Sequence, residues 1–361
     1  MIRRRGPAPV KPTAARRGSA PVVLDGQHLT LNQVVSIARG GAGVSVPPEA
    51  MQRVQRSFDV LLEAACEDKP IYGLTRGVGE NKDKTVFPGG QITPAGRHLS
   101  EQFNANLLRV QATATGPPAA PEVVRAAMVI RLNAILIGHT GAEPTVVTGL
   151  MEFLNHGITP VVPSDGTVGE GDIDILAHIG LALIGEGDVY YGGNTVPAAH
   201  ALKTAGLKPL VPFGKDALSI FSSNAYSAAL AIFAAVDARH LLTRARQVFA
   251  LSLEGLNGNI APFLAEAQAV RAFPGQAAVA AAVCDHLAGS YLFSLSPGRA
   301  LQDPLSFRTF SQVVSSAEDI LARLDSQLAT QINTADDNPT VLDGAEPSPK
   351  ATPQELAYYV H

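Results

Sequence analysis

The chain has 361 residues and no tryptophan, and aromatic residues make up only 6% of it. Its apolar 46% therefore comes mostly from Ala, Val, Leu and Ile, residues that suit close-packed helices. The only two cysteines, Cys66 and Cys284, lie far apart. Their number and spacing exclude a disulfide framework and a cysteine metal site, and they read as free thiols in a reducing cytoplasm. There is no HExxH, no Cys/His cluster and no Walker-type loop, so no bound metal and no phosphate cradle are expected. No apolar run reaches about 18 residues, so no membrane span is expected. Residues 1–22 lack the apolar stretch of a cleaved leader. Acids are missing from the first twenty residues, which hold Arg3, Arg4, Arg5, Lys11, Arg16 and Arg17; with a net charge of −4 overall, the remainder carries −10. An acidic body offers no basic face for phosphate, which argues against a nucleic-acid partner. The basic tail reads as a solvated leader.

What is present is mostly helical punctuation. "VVLDGQHLTLNQVVSIARGG" reads as a short strand, a turn at Asp25-Gly26 and a helix capped by Thr30. "PPEAMQRVQRSFDVLLEAACE" is a helix opened by Pro. "IYGLTRGVGENKDKTVFPGG" is a Gly-rich loop of about twenty residues, a length that is usually functional. "APEVVRAAMVIRLNAILIG" and "EPTVVTGLMEFLNHG" begin after Pro and end at Gly. The loop "ITPVVPSDGTVGEGD" leads into the apolar helix "DILAHIGLALIG", and "EGDVYYGGNT" is a short hairpin or loop. From Lys215 to Gly255 neither Pro nor an internal Gly interrupts the pattern; one helix of that length would span about 60 Å and must pack in a bundle. "SQVVSSAEDILARLDSQLATQI" places Val313, Ile320, Leu324, Leu328 and Ile332 on one stripe. The organisation read from this is a basic tail at 1–20, an active-site-loop region at 21–210, a long-helix bundle at 211–342 and a Pro-rich end at 343–361.

Six segments, in order from about residue 22 to 342, resemble the histidine/phenylalanine ammonia-lyase family. "IYGLTRGVG" is similar to the family's YGxxTGxG loop, and "NLLRVQATATG" to its substrate-contact helix. "TPVVPSDGTVGEGDIDILAHIGLALIGEG" resembles PxVPxxGSVGASGDLAPLAHxxLxLxGEG. "KDALSIFSSNAYSAAL" resembles KEGLALxNGTxxxTAL, "QDPLSFR" resembles QDPYSLR, and "INTADDNPTVL" resembles NSxxDNPLV. The resemblance implies a mainly α fold, a long-helix bundle with a small N-terminal strand and loop region. It also implies a cytoplasmic homotetramer with active sites shared between subunits. Family members continue with further helices, so the chain reads as a truncated protein, a fragment or one piece of a split chain.

The family's prosthetic group is a methylidene-imidazolone made by cyclising Ala-Ser-Gly, with the Ser hydroxyl lost as water. Aligning Gly171-Asp172 to the family's Gly-Asp leaves Glu170 opposite the Ala-Ser pair, with one residue deleted. A Glu side chain cannot dehydrate to a methylidene, and Thr167 falls on the upstream SVG Ser. The expectation is therefore no cofactor. Glu170 is either a general acid or base in a closed pocket or, with Asp172 and Asp174, an acidic group favoured at a helix start.

The resemblance assigns the remaining candidates. Tyr72 matches the general base, amid Gly73, Gly77 and Gly79. Arg76 stands where the family has Thr and is either a carboxylate partner beside Tyr72 or a solvated cation. Arg308 matches the substrate-carboxylate arginine, whose paired donors suit two oxygens; Leu305 replaces the neighbouring Tyr. Asn338 matches the DNP asparagine and is either a site residue or the builder of a turn before Pro339. Ser222 takes the place of the NGT asparagine, with Asn224 two residues on; Ser222, Ser223 and Asn224 form either a new polar wall or packed helix-interior polar groups bonded to backbone. Gln111 stands where histidine-specific members have His and phenylalanine-specific members an apolar pair, which favours a polar ligand. His178, in an apolar helix, reads as a core histidine. Two functions follow. One is a lyase that abstracts a β-proton through Tyr72 from an amino-acid-like carboxylate, in elimination or the reverse addition, without the imidazolone; ordinary histidine or phenylalanine deamination is then expected to be very slow. The other is an inactive relative that binds an amino acid or an active paralogue.

Overall fold

The computed structural model describes residues 20–67, 69–86, 92–167 and 171–342. The basic tail before Ala20, Glu170 and the Pro-rich end lie outside the described residues. Thr30 starts α1 (Leu31–Ala38) with a reciprocal cap: its Oγ accepts the Gln33 N–H at 3.2 Å while the Gln33 side chain accepts the Thr30 N–H at 2.9 Å. The helices α2 (Pro48–Cys66), α3 (Pro94–Gln111), α4 (Pro121–Leu136) and α5 (Pro144–His156) all open on Pro, whose missing N–H costs nothing there. β1 (Val22–Val23) pairs in parallel with β2 (Val44–Ser45). Further along come β3 (Thr115–Pro118), β4 (Thr159–Pro160), β5 (Pro163–Asp165) and α6 (Ile173–Leu183). β6 (Asp188–Tyr191) and β7 (Asn194–Pro197) form a hairpin closed by Gly192 and Gly193, at φ 58° and 83°; a two-residue turn of this hand matches the strand twist.

The chain divides into two compact units, Met1–Leu230 with Ala329–His361, and Ala231–Leu328. In the first, α4 is the hub: every side chain from Val123 to Leu136 is buried, and α1, α2 and α5 pack on it. Its polar members are tied down. Asn133 accepts the Gly26 N–H at 3.0 Å and donates to the Ile332 carbonyl at 2.8 Å. Gly26 sits at φ +87°, with the backbone of Leu136 and Ile137 2.8 Å from where a Cβ would be, so no side chain fits. Helix α3 packs against α6 and α8 (Asp216–Phe221), α7 (Ala198–Ala205) intervening in sequence.

The single helix expected from Lys215 to Gly255 is two. Helix α8 stops at Phe221 and α9 runs from Ala225 to Gly255. The break at Ser222–Asn224 comes from polar side chains that bond elsewhere than along the helix, as described below. The apolar window in this region is long enough to cross a membrane by composition, but 61% of it is buried inside the protein, as a core helix requires.

The second unit contains most of α9, α10 (Ala265–Ala269), α11 (Pro274–His286), α12 (Leu305–Arg308) and most of α13 (Phe310–Gln331). Phe249, Phe263, Val283, Leu287 and Leu292 form its core, with Phe249 and Phe310 stacked at 3.8 Å. The stripe expected on α13 is buried only in part: Leu328 is enclosed, whereas Val313 and Ile320 expose 66% and 64% of their surface.

Candidate active site

Tyr72 stands on a loop folded tightly on itself. Leu74 is buried in a cluster with Leu61, Ala65, Ile71 and Val341. The Thr75 Oγ accepts the Ile71 N–H at 2.8 Å and donates to the Lys69 carbonyl at 2.9 Å. Gly73, at φ +73°, lies against α8, with Leu218 Cδ1 2.0 Å from the position of a Cβ, so the loop presses on the helix that leads to Ser222. The Tyr72 hydroxyl accepts the Gly79 N–H at 3.0 Å. Half-buried Arg76 donates to the Thr75 carbonyl at 3.3 Å; no carboxylate pairs with it among the described residues.

The turn at residues 336–339 is held by buried charge, which motif reading missed. Arg131 of α4 donates to Asp336 at 2.8 Å, to Asp337 at 2.5 Å and to the Ser219 carbonyl at 2.8 Å. Burial works against the Arg131 cation, but Asp337 and Asp336 outweigh it and raise its pKa. Thr140 donates to the other Asp337 oxygen at 2.8 Å. Lys215, fully buried, donates its Nζ to the carbonyls of Thr140 (2.6 Å) and Pro339 (3.0 Å). Burial pulls this amine down to about 8, with Asp337 opposing. Neighbouring Asp216 accepts the N–H groups of Glu143 and Phe213, both at 2.9 Å, yet burial pushes its carboxyl up to about 8. Asn338 lies within this frame, and its buried Oδ1 has no partner among the described residues.

The Ser222–Asn224 break faces the same turn. The Ser223 hydroxyl donates to Asp336 Oδ2 at 2.7 Å, and the Asn224 N–H reaches the same oxygen at 3.3 Å. The Asn224 side-chain carbonyl is taken by Gln331 at 2.9 Å. These residues are neither helix-interior groups nor, at Ser223 and Asn224, an unengaged polar wall; they bind the break to the 336–339 turn.

Asp172 and Asp174 stand at the start of α6, as expected, at the N-cap position and in the first turn; but Asp172 is fully buried and its side chain makes no capping bond to that helix. Its carboxylate accepts the Ser227 N–H at 2.8 Å and hydroxyl at 2.7 Å, and its N–H donates to the Ser223 carbonyl at 2.8 Å. Asp172 thus neutralises the orphan donors and positive end of α9. Thr167, the nearest upstream hydroxyl, donates to the Gly171 carbonyl at 3.3 Å. Tyr226, buried in the first turn of α9, has its phenol pushed up by burial and by the Asp172 and Asp165 carboxylates; it escaped motif reading because the motif leaves that position free. Asp174 is in the first turn of α6. On α6, burial lowers the His178 pKa, Asp174 opposing, and its buried Nε2 has no partner among the described residues.

Gln111 is the last residue of α3. Leu108 packs on Gly180, and Ala114 lies with Asp174 beside Gly166, so this end of α3 runs along α6 toward the 165–172 loop. The first unit therefore brings Tyr72, Arg76, Gln111, Ser222, Asn224 and Asn338 to segments that touch one another. Arg308 ends α12 in the second unit, half-buried, with no partner for its Nε among the described residues.

A family model described as aromatic amino acid lyase matches residues 29–356. Histidine ammonia-lyase of Geobacillus thermodenitrificans is 36% identical over 326 residues, 90% of this chain and 63% of the relative; that of Symbiobacterium thermophilum is 35% identical over 88% of this chain and 61% of the relative. The chain thus spans about three-fifths of the length of these curated relatives. Among solved structures, the ergothioneine-degrading enzyme ergothionase from Treponema denticola, in complex with desmethyl-ergothioneine sulfonic acid, superposes with a TM-score of 0.86 at 37% identity, over 95% of this chain and 65% of that one. Tyrosine aminomutase from Streptomyces globisporus superposes with a TM-score of 0.81 at 30% identity, over 91% of this chain and 64% of that one.

Proposed function

Because the chain belongs to the aromatic amino acid lyase family, we propose that it eliminates a tertiary amine, rather than ammonia, from an imidazole-bearing amino-acid betaine, and that it does so without a methylidene-imidazolone. The observation that carries this reading is the sequence Val168-Gly169-Glu170-Gly171-Asp172. It contains no hydroxyl to lose as water, and the Thr167 hydroxyl, upstream, is engaged with Gly171. The residues present do not fit the prosthetic group. Ammonia beside a weakly acidic C–H needs an electrophile to help it leave. A quaternary ammonium has no N–H for a base to remove, so it keeps its positive charge beside the base and departs as a neutral amine without an electrophile being attached to it. Ergothioneine, the trimethylammonium betaine of a thioimidazole amino acid, has this chemistry, and similarity to histidine ammonia-lyases favours an imidazole-type ring.

In the proposed reaction the Tyr72 oxygen takes the β-proton. The C–H electron pair becomes the Cα=Cβ bond, and the Cα–N pair leaves with the amine, giving an acrylate and trimethylamine. Glu170 is the proposed acid that returns the proton to solvent. Gln111 meets the polar ring, with Ser222, Asn224 and Asn338 around it. Arg308, with Arg76, holds the carboxylate. The protein is proposed to be a cytoplasmic homotetramer, in which Arg308 completes the site of another copy.

The test is to incubate the purified protein with ergothioneine and with histidine, measuring trimethylamine, ammonia and the ultraviolet absorbance of the acrylates, together with intact mass. Trimethylamine release at an unmodified chain mass is expected. Ammonia release from histidine, or a mass lowered by the waters of cyclisation, would overturn the proposal.

A further inference from the structure

Ser223 stands where the NGT motif has Gly, and Asp336 stands at a position that NSxxDNPLV leaves free. These two departures meet: the Ser223 hydroxyl donates to Asp336 Oδ2 at 2.7 Å and accepts the Ala225 N–H at 3.1 Å. The Ser223 carbonyl accepts the Asp172 N–H at 2.8 Å. The other Asp336 oxygen is held by Arg131 at 2.8 Å. One residue, 5% exposed, therefore bonds to the end of the 165–172 loop, to the first turn of α9 and to the turn that carries Asn338.

We propose that Ser223 is a positioning residue: its carbonyl holds the Asp172 end of the loop and its hydroxyl ties the same residue to Asp336, so that the loop end stays in register with the Asp336–Asn338 turn and the geometry of the active site is set. A Gly at this point would leave only the long Asn224 N–H bond of 3.3 Å to link the break to Asp336, while the turn itself stays held by Arg131, Thr140 and Lys215. What the hydroxyl adds is the coupling between the break and the turn. The role in catalysis rests on the elimination proposed above; the mechanical coupling does not.

The experiment compares S223A, S223T and D336N in the full chain, by amide hydrogen exchange and by steady-state kinetics with ergothioneine. In S223A, the Asp172 and Asn224 amides are expected to exchange about tenfold faster, while α4 amides such as Val129 keep their protection. The kcat is expected to fall about tenfold with KM within about twofold, the pattern of a lost transition-state alignment. S223T retains the hydroxyl and restores both. D336N, which can destabilise the whole unit by stranding Arg131, is read against α4 protection in the same way. Unchanged exchange at Asp172 and Asn224 in S223A, an equal rise throughout α4, or a rise with kcat intact would each overturn the proposal. If the native protein does not turn over ergothioneine, the functional reading fails while the exchange measurement still decides the coupling.

Discussion

The loop bearing Tyr72 and the turn bearing Asn338 share the Leu74–Val341 cluster, yet their anchoring differs. The Tyr72 loop is pinned by an apolar side chain, by Thr75 and by backbone bonds, and its phenol accepts an exposed N–H, that of Gly79. The 336–339 turn is pinned by Arg131, Lys215 and Asp337, all almost without exposure to solvent, and by the partly buried Asp336. A group held by apolar packing and backbone can be altered at its tip without disturbing its support. A group inside a buried ion network cannot, because any lost partner leaves a charge without water or counter-ion. In the proposed reaction the base therefore lies on the first kind of support, and the turn that carries Asn338 is of the second kind.

The largest expected effect that would break this comparison is on catalysis. Tyr72→Phe should lower kcat for amine elimination by about 10²–10⁴-fold and change stability by less than about 0.5 kcal/mol. Rate assays and urea melts check it; a large loss of stability would mean the phenol is structural.

Asp337→Asn should do the reverse. Asp337 and Arg131 are 1% and 2% exposed, so removing one charge should cost about 3–5 kcal/mol of stability, seen as a lowered denaturant midpoint. A variant as stable as the native chain would mean that the network is not what holds the turn.

The smallest effect sharpens the comparison through pH. Asp216 stands at about 8 in the fold against an ordinary 3.8. Between these values the unfolded chain gives up the proton and the folded chain keeps it, so this group makes stability fall as pH rises from about 4 to 8. Lys215, lowered from 10.5 to about 8, works the other way: its burial penalty is complete below about 8 and is relieved as pH rises toward 10.5. In Asp216→Asn, melts at pH 5 and pH 8 should differ less than in the native protein. An equal difference in both would show that Asp216 does not titrate in this window.

Local signals in the chain were sufficient to read the helical class, the Thr30 cap, the Pro-opened helices and the Gly-Gly hairpin, because each depends on neighbours within a few residues. The motif at Tyr72 and the missing hydroxyl opposite the cyclising tripeptide were legible for the same reason: they are matters of residue identity. The break at Ser222–Asn224 was not, since no Pro or Gly marks it and its cause, Asp336, is more than a hundred residues away. Nor could the sequence show that Asp172 caps α9 rather than α6, or that Arg131, Lys215 and Asp216 lie together. Charged residues in an apolar helix read equally well as a solvated edge or a buried network. Only the tertiary structure, by enclosing α4 on every side and withdrawing water from those charges, decided between them.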